Sequence, residues 1–242
     1  MALKVGYIGL SVIMVIIISL FGSKAINETT RNTGKAKKKK IKLISFLLLW
    51  HLYIFLISQT GILQSFEFPP KFVLLLILPV FIFTGIFIYK HRNSDWIQAI
   101  PSSWLVYYQS FRIVVETLFV FSVAQGILHA NVTIEGYNFD MVFAFTAPLV
   151  GVLVYRFNIF SERAIIWWNY FGLIVIAFII FLFNSSIYLP EIYGSDAPLM
   201  PIEFTAYPYI IVAGFLMPSA VFMHVLSIVQ LKKAEIKKGT DF

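Results

Sequence analysis

The chain has no cysteine, which removes structural disulfides, iron–sulfur clusters and thiolate metal sites and leaves the redox compartment unmarked. Charge is scarce too: Asp, Glu, Lys and Arg make up 13% of 242 residues, against about 25% in soluble domains. No phosphate loop, serine nucleophile elbow or HExxH helix occurs, so the common signatures of nucleotide, acyl-transfer and zinc-protease chemistry are missing. Internal repeats are lacking as well, so the inverted-repeat logic of many transporters finds no support.

What is present is apolar. Hydrophobic residues make up 59% of the chain, in blocks of about twenty, the length that crosses a hydrocarbon core of roughly 30 Å. The expected fold is all-α: a polytopic membrane protein forming one helical domain over 1–242. Seven transmembrane helices are placed near Val5–Phe21, Leu43–Leu63, Phe72–Tyr89, Ser103–Leu128, Met141–Tyr155, Ala164–Phe183 and Tyr207–Leu231. The fifth is short, with Pro148 and Gly151 inside it, so it either runs past Arg156 or is tilted or broken. Pro79 and Pro218 also fall inside spans, where each frees a carbonyl and bends the axis. Pro69-Pro70 separates spans two and three, and Pro101-Ser102-Ser103 suits a helix start.

Orientation follows from the basic residues. Segments 24–42, 90–100 and 156–163 and the tail from Lys232 hold eight, two, two and four of the nineteen Lys and Arg. The opposite loops hold Lys71 alone, with Glu67, Glu135, Asp140, Glu191, Asp196 and Glu203. Basic residues near span ends stay in the cytoplasm, so the N-terminus is expected outside and the C-terminus inside. Reading the first span as a cleaved signal would export the Lys35 to Lys40 cluster against this rule; six helices with an exported basic arm is the alternative topology. A net charge of +7 then points to anionic lipid headgroups on the cytoplasmic side and not to nucleic acid. The long outer stretch 184–206 with its three prolines is a linker or a lid. Asn131-Val132-Thr133 matches a glycosylation acceptor in a eukaryotic host.

The fourth span carries an unusual stripe. Gln109, Arg112 and Glu116 are three and four residues apart, so they share one helix face. A charge at mid-membrane costs about 2.5–3.5 kcal/mol on insertion scales, so such a stripe faces the bundle interior. Two readings compete: an Arg112–Glu116 pair that fixes packing, or a pair lining a cavity that exchanges a ligand's charge or a proton. His224, His51 and Asn169 fall at depths that could join them in a polar cluster. Asp140 opens the fifth span and reads as a helix cap.

A retinal pigment is excluded because no lysine falls within spans two to seven as drawn. Metal is not expected, and no cofactor is assigned. His91 and His129 belong to the two interfaces, and only His51 and His224 could meet, with Glu116 a strained third ligand or the two histidines as axial haem ligands. Residues 102–155, with W-x4-Q-x2-R-x3-E and then Asn138-Phe139-Asp140, are similar to a group of uncharacterised bacterial multi-helix membrane proteins. That resemblance implies a bacterial inner membrane and supplies no activity or ligand to carry over. The expected function is a transporter, sensor or binder of a small apolar or lipid-like ligand, its apolar walls lined by aromatics at 17% of the chain. An intramembrane enzyme with a Glu116 or His224 acid/base and a subunit of a larger membrane complex are the alternatives.

Overall fold

A computed structural model describes residues 1–240, with side chains described through Ile236. Lys237 and Lys238, two of the tail lysines behind the expected orientation, lie outside those side chains. Among the described residues there is no strand. The helices are α1 Ala2–Thr29, α2 Thr33–Gln59, α3 Leu78–His91, the short α4 Trp96–Ala99, α5 Ser102–Tyr108, α6 Phe111–Ala124, α7 Asp140–Tyr155, α8 Glu162–Tyr188 and α9 Met217–Thr240. Wide π turns, Val73–Ile77 and Val212–Leu216, lead into α3 and α9. Five helical stretches, Ala2–Thr29, Thr33–Gln59, Val73–His91, Glu162–Tyr188 and Val212–Ile236, are long and apolar enough to cross a membrane. Their outward faces carry exposed Ile, Leu and Phe side chains such as Ile13, Leu49, Ile86 and Ile174, as lipid-facing helices do.

Several expected boundaries move. Lys35 to Lys42 belong to a helix and not a loop, because Lys is a good helix former and Asn32 Oδ1 accepts the Lys35 N–H at 2.9 Å, capping α2. The expected fourth span is two helices. At Gln109 and Ser110 the backbone tightens to i→i−3 bonding, with Gln109 N to Val106 O at 3.1 Å and Ser110 N to Tyr107 O at 3.1 Å. The fifth span does not run past Arg156, which caps α7, and Asn158 then turns with a φ of 53°. The stretch expected as a linker or lid is pinned to α8: Leu199 N–H donates to Ser186 O at 2.8 Å, and Tyr193 and Ser185 hydroxyls bond at 2.6 Å. The possible glycosylation acceptor is folded inward, with Thr133 fully buried.

The π turns have a chemical cause. Proline has no N–H for the carbonyl four residues before it and its ring crowds that carbonyl, so a helix widens ahead of it. Pro79 and Pro218 each follow a π turn immediately. The carbonyls they strand are Leu75 O and Gly214 O, and α2 satisfies both. Tyr53 Oη donates to Leu75 O at 3.1 Å and Trp50 Nε1 donates to Gly214 O at 2.8 Å. The Trp50 and Tyr53 rings lie 5.0 Å apart. One aromatic pair on α2 therefore makes two proline-bent helices compatible with an apolar surround, where an unmet carbonyl is expensive.

Candidate functional site

Gln109, Arg112 and Glu116 all point inward, each at most 3% exposed. The expected pairing within the helix is not what forms. Arg112 instead holds Asp140 at the start of α7: Nε donates to Oδ2 at 3.0 Å and Nη2 to Oδ1 in a second, short contact. This is the bidentate fork that suits guanidinium to carboxylate. Asp140 is thus a charge partner and not a cap for its own helix. Its backbone N–H is met by Asn138 Oδ1 at 2.9 Å.

Hydrogen bonding fixes the orientation of the two amides around this pair. Asn138 Nδ2 must face Val132 O at 3.0 Å, because a carbonyl can only accept, so the same Nδ2 donates to Glu116 Oε1 at 2.9 Å. Asn169 Nδ2 faces Ile165 O at 2.8 Å and Ser227 Oγ at 3.0 Å. Its Oδ1 then accepts from His224 Nδ1 at 2.7 Å, which leaves His224 Nε2 to accept from Arg112 Nη1 at 3.3 Å. The result is a continuous chain, Asp140–Arg112–His224–Asn169–Ser227, running through four helices. The Arg112 guanidinium also lies 5.0 Å from the Phe143 ring centre.

Two close approaches make this possible. A Cβ on Gly172 would come within 2.5 Å of the His224 ring and 2.7 Å of Phe143, so α8 can meet the imidazole only as glycine. A Cβ on Gly136 would meet Ala130 O and Asn131 Cα at 2.5 Å, so the loop that carries Asn138 folds back on its own backbone.

Of the other expected residues, Gln109 donates to Ala220 O at 3.1 Å, and its Oε1 has no partner. His51 lies elsewhere. It donates from Nδ1 to Leu47 O and accepts from Ser11 Oγ, both at 2.8 Å, joining α2 to α1. His51 and His224 therefore do not share a ligand. Among the described residues no three metal-ligating side chains gather.

Asp140 and Asn138 are the participants that sequence reasoning missed. A signal existed. The sixteen residues of α7 rise only about 24 Å, short of the roughly 30 Å core, so a helix this short leaves one end, and any charge on it, inside the bundle.

Glu116, like Gln109, keeps an unmet atom. Its Oε2 is buried without a partner, and Glu116 lines a cavity of about 40 Å³ together with Arg112, Asp140, Phe111, Val115 and Met217. That space holds about three water-sized groups. A second cavity of about 60 Å³, walled by Tyr7, Phe72, Phe183, Phe204 and Tyr209, shares Phe119, Ile179, Val212 and Met217 with the first. A polar chamber and an aromatic one thus meet at a common wall, and the π turn Val212–Leu216 contributes to both. One cation faces two carboxylates here, an arrangement able to hold a polar head or to pass a proton.

These features define an all-helical protein with several helices of membrane-crossing length and a desolvated charge cluster at its centre. No protein-family model, curated protein or solved structure matches the chain.

Proposed function

We propose that the chain is a seven-span membrane protein, N-terminus outside and C-terminus in the cytoplasm, that binds a small ligand in the buried cluster as a transporter or sensor. The observation that carries this reading is Glu116: a buried carboxylate oxygen without a partner, on a residue that lines a cavity sharing a wall with an aromatic one. Of the eight buried side-chain atoms without a partner among the described residues, this is the one on a carboxylate, and an intramembrane ionisable group is a functional hypothesis by default. The aromatic chamber suits an apolar or ring-bearing body.

Supporting seven crossings, α5 and α6 together run from Ser102 to Ala124, and α7 reaches the same end of the bundle as α5. Supporting the orientation, basic residues and their partners collect at one end. Lys24 lies over Trp104, Lys233 donates to Asn93 O at 2.9 Å, and Arg163 meets Glu235 at 3.1 Å. Anionic headgroups would face Lys35 to Lys42 there.

Native mass spectrometry of protein extracted in mild detergent tests the reading. Wild-type protein should carry a releasable small molecule, and Met217→Trp, which fills the wall between the chambers, should carry none. An empty wild type, or equal loading of the variant, counts against it.

A further inference from the structure

We propose that Glu116 holds a proton in the resting protein, and that this proton and the Arg112 guanidinium are alternative partners for its carboxylate. The inference rests on the reading of the buried cluster as the working site and names the ion exchanged there.

Charge counting leads to it. Among the described residues that line the cavity, Arg112 is the one cation, and Asp140 and Glu116 are the two carboxylates. The three side chains belong to residues only 3%, 4% and 1% exposed. Two carboxylates that share one desolvated site and a single cation do not both stay ionised. Asp140 takes the guanidinium through two contacts. Glu116 receives one neutral donor, Asn138 Nδ2 on Oε1 at 2.9 Å, and nothing reaches Oε2. An ionised carboxylate has about four acceptor sites, so a charged Glu116 would be both unpaired and largely unbonded. With a proton on Oε2, Oε1 remains the acceptor for Asn138, and the bare atom becomes a neutral hydroxyl, far less costly to bury than a bare charge.

The elements packed around Glu116 bring it no other charge. Tyr7 interacts with it from α1, with its hydroxyl tied to Ser122 Oγ at 2.8 Å. The cavity wall from α8 and the π turn is Ile176, Ile179, Val212 and Leu216. From α9, His224 meets Arg112 and accepts there as a neutral ring. Arg112 precedes Glu116 by one helical turn, and Asn138 touches both acids, donating to Glu116 and accepting the Asp140 N–H at 2.9 Å. The cluster therefore has a second electroneutral arrangement. One proton leaves Glu116 Oε2 for the Asp140 carboxylate, and the guanidinium moves the other way, from Asp140 to Glu116. In the structure Arg112 joins α6 to α7 through Asp140 and to α9 through His224. On Glu116 it would bond within α6 and release both ties, so the position of the proton sets how firmly α7 and α9 are held.

Infrared spectroscopy of the full chain in lipid reads the proton directly, because a protonated carboxyl group has a carbonyl stretch that an ionised one lacks. Ordinary solvated carboxyl groups are ionised at neutral pH, so the wild type should show a single such band there. A heavy carbon isotope at the glutamate side-chain carboxyl should move the band, and Glu116→Gln should abolish it. Asp140→Asn leaves Glu116 as the one acid facing Arg112, so that variant should lose the band too, with Arg112 turned to Glu116 and the proton gone to water. A wild type without a glutamic-acid band overturns the proposal, as does a band that Glu116→Gln leaves in place. A band that survives in Asp140→Asn overturns the exchange of partners. If Glu116→Gln does not fold, the isotope shift in wild-type protein decides the matter. The ligand reading is tested separately, by the mass-spectrometric experiment.

Discussion

Replacing Arg112 by methionine removes the only cation in a cluster with two buried carboxylates. Asp140 then keeps Asn138's neighbourhood and loses both arginine contacts, while Glu116 gains nothing. Breaking a buried pair from one side costs about 3–5 kcal/mol, because the orphaned charge stays desolvated. His224 Nε2 also loses its donor, which adds about 1 kcal/mol or more. Asp140→Asn should cost less, about 1–3 kcal/mol, the price of an unmet buried group. Arg112 then still has a carboxylate one helical turn away at Glu116, on its own helix. The double variant Arg112→Met/Asp140→Asn should recover about 2 kcal/mol of the summed loss, since neither partner is left charged and alone. Reversible unfolding in mixed micelles, titrated with a denaturing detergent, gives all four free energies. Additivity within about 0.5 kcal/mol would show that the two side chains do not form one unit. A larger loss for Asp140→Asn than for Arg112→Met would show that Glu116 offers no second berth.

Other outcomes follow from single contacts. Gly172→Ala should destabilise by about 1–3 kcal/mol, because the His224 ring is held at both nitrogens and cannot yield; a neutral result in the same unfolding assay would put α8 further from His224. Trp50→Phe should cost about 1 kcal/mol by leaving Gly214 O unmet, and less in a Pro218→Ala background, where an N–H returns to that carbonyl; an equal cost in both backgrounds would break the link between proline and tryptophan. Reporter fusions at Lys38 and at the C-terminus should read cytoplasmic and one near Asp196 outside; Lys38 outside would end the seven-span topology.

The helical character and the inward face of the stripe were legible because both depend on local spacing: residues three and four apart on a helix share a face whatever surrounds them. Partner choice was not. Arg112 and Glu116 satisfy the i, i+4 rule, yet Arg112 reaches Asp140, 28 residues on, because a short α7 sinks its first carboxylate into the bundle. Asp140 looked like a cap for the same reason any acid at a helix start does. Five of the seven expected spans are helices of membrane-crossing length; the fourth is interrupted where Gln109 turns to bond Ala220 O and Tyr108 bonds Ser219 across to α9. Those tertiary contacts leave no local pattern. Neither does the capping of Leu75 O and Gly214 O by Tyr53 and Trp50, although the prolines that require it were visible.

The native chain lacks cysteine, so single cysteines report without background. Val115 lines the polar chamber, while the adjacent Val114 is exposed on the outer face of α6. In native membranes, Val115→Cys and Val114→Cys should be treated with a methanethiosulfonate carrying an ethylammonium group, whose reactive sulfur is attacked by thiolate with loss of methanesulfinate. Thiolate forms only where water or a cation can stabilise it. Val115→Cys should be modified, while Val114→Cys in lipid should stay unreacted. Modification of Val114→Cys alone, or of neither, would contradict an accessible chamber beside Glu116.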